Sequence, residues 1–282
     1  MIIAHISDLH FGACDNEIAD LLLTQLNDSG ADLIIASGDI TQSATETEFI
    51  QARAFFDRLK APVFVIPGNH DLPGIDFRRF WHPFERYKRH IAEDLNPVLQ
   101  TGLSDIVGLN SARMILPHWN WANGSISALQ RRAMRNFFKA SHAPWRILVV
   151  HHPLQSPKEF PLDITVFNGQ KLLKAIDESR IDLVLAGHQH HAYIESRNTP
   201  DHTTLFVSAS TAMSTRVRRQ PNGFNILHLS PDTARIDQLR LENGLFRVFS
   251  ALTHTKKPNK TQASPLPAGI DALPISDPIM PH

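Results

Sequence analysis

Cysteine is all but missing from this 282-residue chain, where Cys14 stands alone. One thiol cannot form an internal disulfide, so a reducing compartment is expected and the core must hold the fold. Neither sign of charge is in excess. Lysine plus arginine number 28 and aspartate plus glutamate number 28, for a formal net charge of +0. That removes any general pull toward nucleic acid or an anionic membrane, although local basic patches remain. No apolar run reaches the roughly 18 residues that a membrane span needs. The chain runs from Met1 straight into the polar segment Asp8-Leu9-His10, which leaves no room for a signal peptide. The expected address is therefore the cytoplasm. A chain of this length can bury a substantial core, as one large domain or two small ones.

What the chain does have is alternation. Residues 2–7 read as a short apolar strand, and 16–27 repeat Ile18, Leu21, Leu22 and Leu26 at helical spacing. Residues 32–37 read as a buried strand ending at Gly38. Residues 46–59 read as a helix with Phe49, Ala52, Phe55, Phe56 and Leu59 on one face, and 63–66 as a strand stopped by Pro67-Gly68. The pattern predicts a helix over 77–91 interrupted near Pro83, strands over 98–100 and 106–110, and a helix over 127–140 capped by Ser125 or Ser127. Strands over 147–150 and 181–186 flank a helix over 169–179, and strands alone follow at 192–196, 204–208, 224–229 and 234–241. Two packed sheets with helices outside are expected, an α/β fold. In such folds ligands bind at the carboxyl edge of the strands. Past about residue 253 the composition turns to prolines among small and polar residues. The expected division is a domain over 1–252 and an extended tail over 253–282, either unpacked or wrapped on a neighbour's surface.

Seven metal-ligand side chains sit where these strands end: Asp8, His10, Asp39, Asn69, His151, His188 and His190. In an extended loop, Asp8-x-His10 and His188-x-His190 would each point two ligands the same way, because strand side chains repeat every second residue. One cation can take Asp8, His10, Asp39 and His190, and a second Asp39, Asn69, His151 and His188. A carboxylate bridges two cations more readily than a neutral group, so Asp39 is the natural bridge. Gly38, Gly68 and Gly187 let the backbone turn sharply beside the ions.

Two divalent ions bring +4 and the two aspartates return −2, a surplus that suits an anionic substrate such as phosphate. Calcium and magnesium cages are mostly oxygen, whereas this imidazole-rich set favours Mn, Fe, Zn or Co, with Mn or an Fe–Mn pair preferred. Cations ~3.5–4 Å apart can share a hydroxide and clamp phosphoryl oxygens, and one ion alone brings the pKa of water from ~15.7 to about 7. His70 is adjacent to a ligand and otherwise unassigned. It is the candidate general acid or transition-state hydrogen-bond donor, with Asp71 either orienting it or holding the loop.

The ordered motifs Asp8-x-His10, Gly38-Asp39, Gly68-Asn69-His70-Asp71, His151-His152-Pro153 and Gly187-His188-x-His190 resemble those of the calcineurin-like metallophosphoesterases. The resemblance runs from Met1 to about Leu241. It implies a four-layer α/β/β/α sandwich with the metals between the sheet ends. It also selects His151, two before the proline, as the ligand over His152. Within the family the chain looks most like the bacterial class III cyclic-nucleotide phosphodiesterases. The supporting segments are Asn69-His70-Asp71, the short His-His-Pro motif, Gly124-Ser125-Ile126-Ser127 and Asn222-Gly223-Phe224-Asn225. Asn123-Gly124 stands where that branch often has His-Gly, so a general diester is kept beside a 3',5'-cyclic nucleotide as substrate. The implied enzyme is a dinuclear phosphodiesterase working by attack of a bridging hydroxide. The alternatives are a membrane-surface nucleotide-lipid pyrophosphatase and a Mn-dependent nuclease. A small phosphodiester is the expected partner, without a stable nucleic-acid complex; membrane contact and a homodimer stay open.

Four weaker signals remain. Residues 77–91 mix five basic residues with five aromatics and read as a packed helix, a substrate-facing cap or a lipid-docking helix. Arg216, Arg218 and Arg219 form either a solvated loop or a substrate clamp. His118-Trp119-Asn120-Trp121 is an aromatic wall or a packed loop, and Cys14 a small buried residue.

Overall fold

The structure, a computed structural model, describes residues 1–74, 81–113, 123–157, 166–217 and 220–256. Two six-stranded sheets carry the chain. The first takes β1 (Ile2–Ile6), β2 (Leu33–Ala36), β3 (Val63–Val65), β10 (Gly223–Leu229), β11 (Thr233–Glu242) and β12 (Leu245–Thr255), in the order β12-β11-β10-β1-β2-β3. The second takes β4 (Val98–Gln100), β5 (Ser104–Leu109), β6 (Trp145–Val150), β7 (Leu183–Ala186), β8 (Tyr193–Thr199) and β9 (His202–Ser208), in the order β4-β5-β6-β7-β9-β8. β1, β2 and β3 run parallel, as do β5, β6, β7 and β9. Their carboxyl ends therefore collect at one edge of each sheet.

Alternation along the strands divides the core into layers. Ile3, Leu33 and Ile35 of the first sheet pack on Ile147, Val149, Leu183 and Leu185 of the second. The opposite faces point outward to helices. Ala4, Ile6, Ile34 and Ala36 pack on α1 (Asn16–Asp28) and α2 (Glu46–Phe56), with Tyr87 of α3 (Glu85–His90) in the same cluster. Leu148 and Val150 meet Met134 and Phe138 of α4 (Ala128–Lys139), and Leu172 and Ile176 of α5 (Gly169–Ser179). This is the four-layer α/β/β/α arrangement.

Local chemistry fixes where the helices start. Asp15 caps α1 through bonds from Glu17 N–H and Ile18 N–H, and Thr45 and Ser127 form capping boxes with Glu48 and Gln130. Each cap is worth about 1 kcal/mol. Ser127, not Ser125, is the cap of α4.

Two expectations change. β12 did not appear in the sequence pattern, and it pairs with the whole length of β11. The expected domain end at 252 falls inside this strand, which continues to Thr255. The Lys256 ammonium then lies 2.8 Å from the Asp182 carboxylate and 4.0 Å from the Trp145 ring centroid. Residues 257–282, the rest of the expected tail, lie outside the described residues. So do 77–80 of the predicted 77–91 helix, within whose described part α3 begins two residues after Pro83. His118 to Trp121, Arg218 and Arg219 also lie outside. Among the described residues no helix is long and apolar enough to cross a membrane.

Candidate metal centre

β1, β2 and β3 end at Ile6, Ala36 and Val65, and the next residues bring Asp8 and His10, Asp39, and Asn69 to the sheet edge. β6 delivers His151, and β7 delivers His188 and His190. Asp8 Oδ1 lies 3.2 Å from His190 Nε2 and 3.8 Å from His10 Nε2, and those two nitrogens are 3.1 Å apart. Three donor atoms thus face a common point. On the other side, His151 Nε2 lies 3.2 Å from Asn69 Oδ1 and 3.2 Å from Asp39 Oδ2, with the His188 ring centroid 5.1 Å from that of His151. Asp39 joins the halves, since the same Oδ2 is 3.8 Å from His10 Nε2. All seven sequence-derived residues come together.

The backbone achieves this differently from expectation. Asp8, His10, Asp39, His188 and His190 have φ of 54°, 50°, 52°, 70° and 55°. They occupy the left-handed region, not an extended loop, so the i, i+2 strand argument is overturned. Consecutive ligands converge because the chain coils at each, at a cost of about 1–3 kcal/mol per residue. The surroundings hold these conformations. Asp8 N–H and His10 N–H donate to the carbonyls of Gly38 and Asp39, and the Thr211 hydroxyl donates to the Asp8 carbonyl at 2.7 Å. Gly68 and Gly187 permit the close approach. A Cβ at Gly68 would strike Asp39, and one at Gly187 would strike Ser7 and Asp8.

The hydrogen bonds leave ligand atoms exposed to the centre. His151 Nδ1–H donates to the Ser37 carbonyl at 2.8 Å and His190 Nδ1–H to the Arg216 carbonyl at 2.9 Å, so each turns its Nε2 inward. One carboxylate oxygen of each aspartate is tied to backbone: Asp8 Oδ2 by His188 N–H at 2.9 Å and Asp39 Oδ1 by His70 N–H at 2.8 Å. The other oxygen faces the histidines. Asp8 Oδ1 is buried and accepts no well-formed hydrogen bond among the described residues. An oxygen left so, ringed by imidazole nitrogens, suits a cation.

Electrostatics agree. Burial alone would raise the carboxyls, but His190 holds Asp8, and His151 holds Asp39, well below the carboxylate range. Burial pushes His10 down to about 4 and His188 to about 3, keeping both neutral. His151 goes the other way: burial opposes its charge, yet Asp39 raises it to about 9. Without metal, a proton there does the work of a cation.

His70 packs edge-on against His10, with ring centroids 4.8 Å apart, and its Nδ1–H donates to the Gln42 carbonyl at 2.8 Å. Nε2 faces Arg216, whose Nη1 donates to it at 3.2 Å. Asp71 has no bond to that ring. Its Oδ1 accepts from Thr41 N–H and the Thr41 hydroxyl, and its Oδ2 from Ile40 N–H and Gly68 N–H. Of the two readings of Asp71, these are the bonds of the loop-holding one. His152, whose Nδ1 bonds the Ser111 hydroxyl at 2.7 Å, places a ring nitrogen within 4.8 Å of ring nitrogens of His151 and His188.

A family model described as calcineurin-like phosphoesterase matches residues 1–192, a segment that takes in all seven candidate ligands. The chain belongs to that family. It is a metal-dependent phosphoester hydrolase, and its neighbours agree. It is 24% identical over 252 residues to a probable cyclic nucleotide phosphodiesterase of Synechococcus sp., covering 82% of this chain and 88% of that one. It is 27% identical over 228 residues to another of Coxiella burnetii, covering 73% and 81%. A dimetal phosphatase of Danio rerio superposes with a TM-score of 0.68 at 13% identity over 91% of this chain and 99% of that one, which speaks for the fold.

Sequence reasoning missed the supporting groups. Gln42, Thr41 and the buried His5 carried no pattern of their own. Arg216 was seen, but within a cluster that reads equally as solvated loop. The signal that separates it is topological: β9 is another parallel strand of the second sheet, so the loop after Ser208 emerges at the edge that carries the ligands.

Proposed function

We propose that this phosphoesterase hydrolyses phosphodiesters with two divalent transition-metal ions, one held by Asp8, His10, Asp39 and His190 and the other by Asp39, Asn69, His151 and His188. The carrying observation is Asp39 Oδ2, which faces His10 Nε2 at 3.8 Å and His151 Nε2 at 3.2 Å, one histidine from each set. The donor set of imidazoles, two carboxylates and one amide favours Mn, Fe, Zn or Co over calcium or magnesium. When bound, such ions polarise a phosphoryl oxygen and supply a hydroxide-like nucleophile near neutral pH.

The chain's own residues do the rest. Asp71 fixes the turn between Gly68 and Thr41, and through it the positions of Asn69 and His70. His70 supports the leaving oxygen. Its Nδ1–H is committed to Gln42, so a proton given to that oxygen must come from Nε2 in the imidazolium form. The relatives in Synechococcus and Coxiella, each a probable cyclic nucleotide phosphodiesterase, favour a cyclic nucleotide, with a general diester as the broader class. The test is a panel of bis-p-nitrophenyl phosphate, cyclic AMP and p-nitrophenyl phosphate, each with Mn, Fe, Zn and Co. Both diesters should be cleaved at least about tenfold faster than the monoester. A preference for the monoester would refute the diesterase reading.

A further inference from the structure

We propose that Arg216 is a substrate-binding residue whose guanidinium takes a non-bridging phosphoryl oxygen of the bound ester. The proposal rests on the phosphodiesterase reading above and deepens it.

Arg216 is held at the centre by its own backbone. Its carbonyl accepts the Nδ1–H of His190, and its N–H donates to the Ser214 hydroxyl at 3.1 Å. From that fixed point the half-buried side chain turns back across the site. Nη1 lies 3.2 Å from His70 Nε2 and 3.2 Å from Gln42 Oε1. Both partners are neutral acceptors, and among the described residues no carboxylate pairs with this arginine. Arg197, by contrast, grips Asp177 through two bonds at 2.9 and 2.8 Å, and Arg146, which bonds the carbonyls of Ser179 and Ser141, has its partners outside the ligand cluster. A guanidinium tethered beside the ligand cluster, with only neutral partners, is a cation prepared for an anion.

The bond to His70 makes the same point. It joins the guanidinium to a neutral ring nitrogen, which an anionic phosphoryl oxygen can replace with a charge-assisted bond. Arg also offers paired N–H groups that match two oxygens on one phosphorus.

Truncating the side chain leaves the carbonyl that orients His190, so metal binding should survive. The probe is inorganic phosphate, titrated calorimetrically into the manganese-loaded full chain with metal content and far-ultraviolet dichroism measured alongside. Arg216→Ala should retain its metal and bind phosphate about tenfold or more weakly, the scale of one lost charge-assisted bond. Arg216→Lys should recover part of the loss. A strut acting only through His70 would have no effect once His70 is gone, so Arg216→Ala is repeated in a His70→Ala background, where the weakening should persist. Unchanged phosphate affinity in Arg216→Ala, loss of the effect in the His70→Ala background, or a loaded wild type that binds no phosphate would each overturn the proposal. The titration reads binding without turnover, so a failure of the diesterase reading shows separately, as absent hydrolysis by the wild type.

Discussion

His151 donates its Nδ1–H to the carbonyl of Ser37 at 2.8 Å, a bond that joins the end of β6 in one sheet to the end of β2 in the other. The proposed ligands are divided in the same way. Asp8, His10, Asp39 and Asn69 follow strands of the first sheet, and His151, His188 and His190 follow strands of the second. Any ion bound between them fastens the two sheets at the edge where they meet.

Metal should therefore act as a structural clamp as well as a cofactor. At about 100-fold excess over the dissociation constant, binding to the native state alone adds about 2.7 kcal/mol. Thermal unfolding should show a higher midpoint with manganese than after chelation. Equal midpoints would mean that the ions do not bridge the sheets.

Gly68 is a position at which a single methyl should do great harm. Its Cβ would occupy the place of the Asp39 carboxylate and amide. Gly68→Ala is expected to displace the bridging ligand, lower metal content and reduce diester turnover about 100-fold, the scale of an ångström's misplacement. Elemental analysis of the folded variant checks the cause. Wild-type metal content and rate together would contradict the placement of Asp39.

Asp71 and His70 should separate cleanly by their effects. Both Asp71 oxygens are filled by N–H and O–H donors, so Asp71→Asn sets an amide N–H₂ against donors and leaves buried groups unmatched. A loss of about 1–3 kcal/mol is expected in urea unfolding. His70→Ala should leave stability and metal content near wild type while slowing turnover. A stable Asp71→Asn would show that those bonds do not hold the loop.

His5 gives the fold a pH dependence of its own. It lies buried between the sheets, with Nε2–H donating to the Ser37 hydroxyl at 2.9 Å and Nδ1 accepting from Asn225 at 3.1 Å, a pattern that requires the neutral ring. Burial pushes it from 6.5 down to about 3. The unfolded chain therefore binds the extra proton between those values. Stability contributed by neutral His5 is complete above pH 6.5 and falls as the pH drops toward 3, by about 1.4 kcal/mol per unit. Urea midpoints at pH 8 and pH 5 should fall less in His5→Gln than in wild type. Parallel losses would assign the dependence to other groups.

Much of this site was legible in the sequence because the ligands follow short apolar runs, and parallel strands bring such ends to one edge. The backbone at the ligands was not legible. Aspartate and histidine do not announce a positive φ, so Asp8-Leu9-His10 read as extended when the chain coils at both ends of it. β12 escaped for another reason. It is an edge strand with Leu245 54% and Val248 51% exposed, so it lacks the alternation that marks a half-buried strand. Arg216 is one letter of a basic cluster, and only the position of the loop after β9 brings it onto His70. Asp71 could orient its neighbour or brace the turn, and only hydrogen-bond geometry distinguishes the two.

The most direct test is a metal titration of the stripped protein, followed by the rate of bis-p-nitrophenyl phosphate hydrolysis. With two ions sharing Asp39, activity should be absent after chelation and should climb until the second equivalent of manganese has bound, and Asp39→Ala should remain inactive at any metal concentration. Full activity in the stripped protein, or a plateau at one equivalent, would contradict a dinuclear centre.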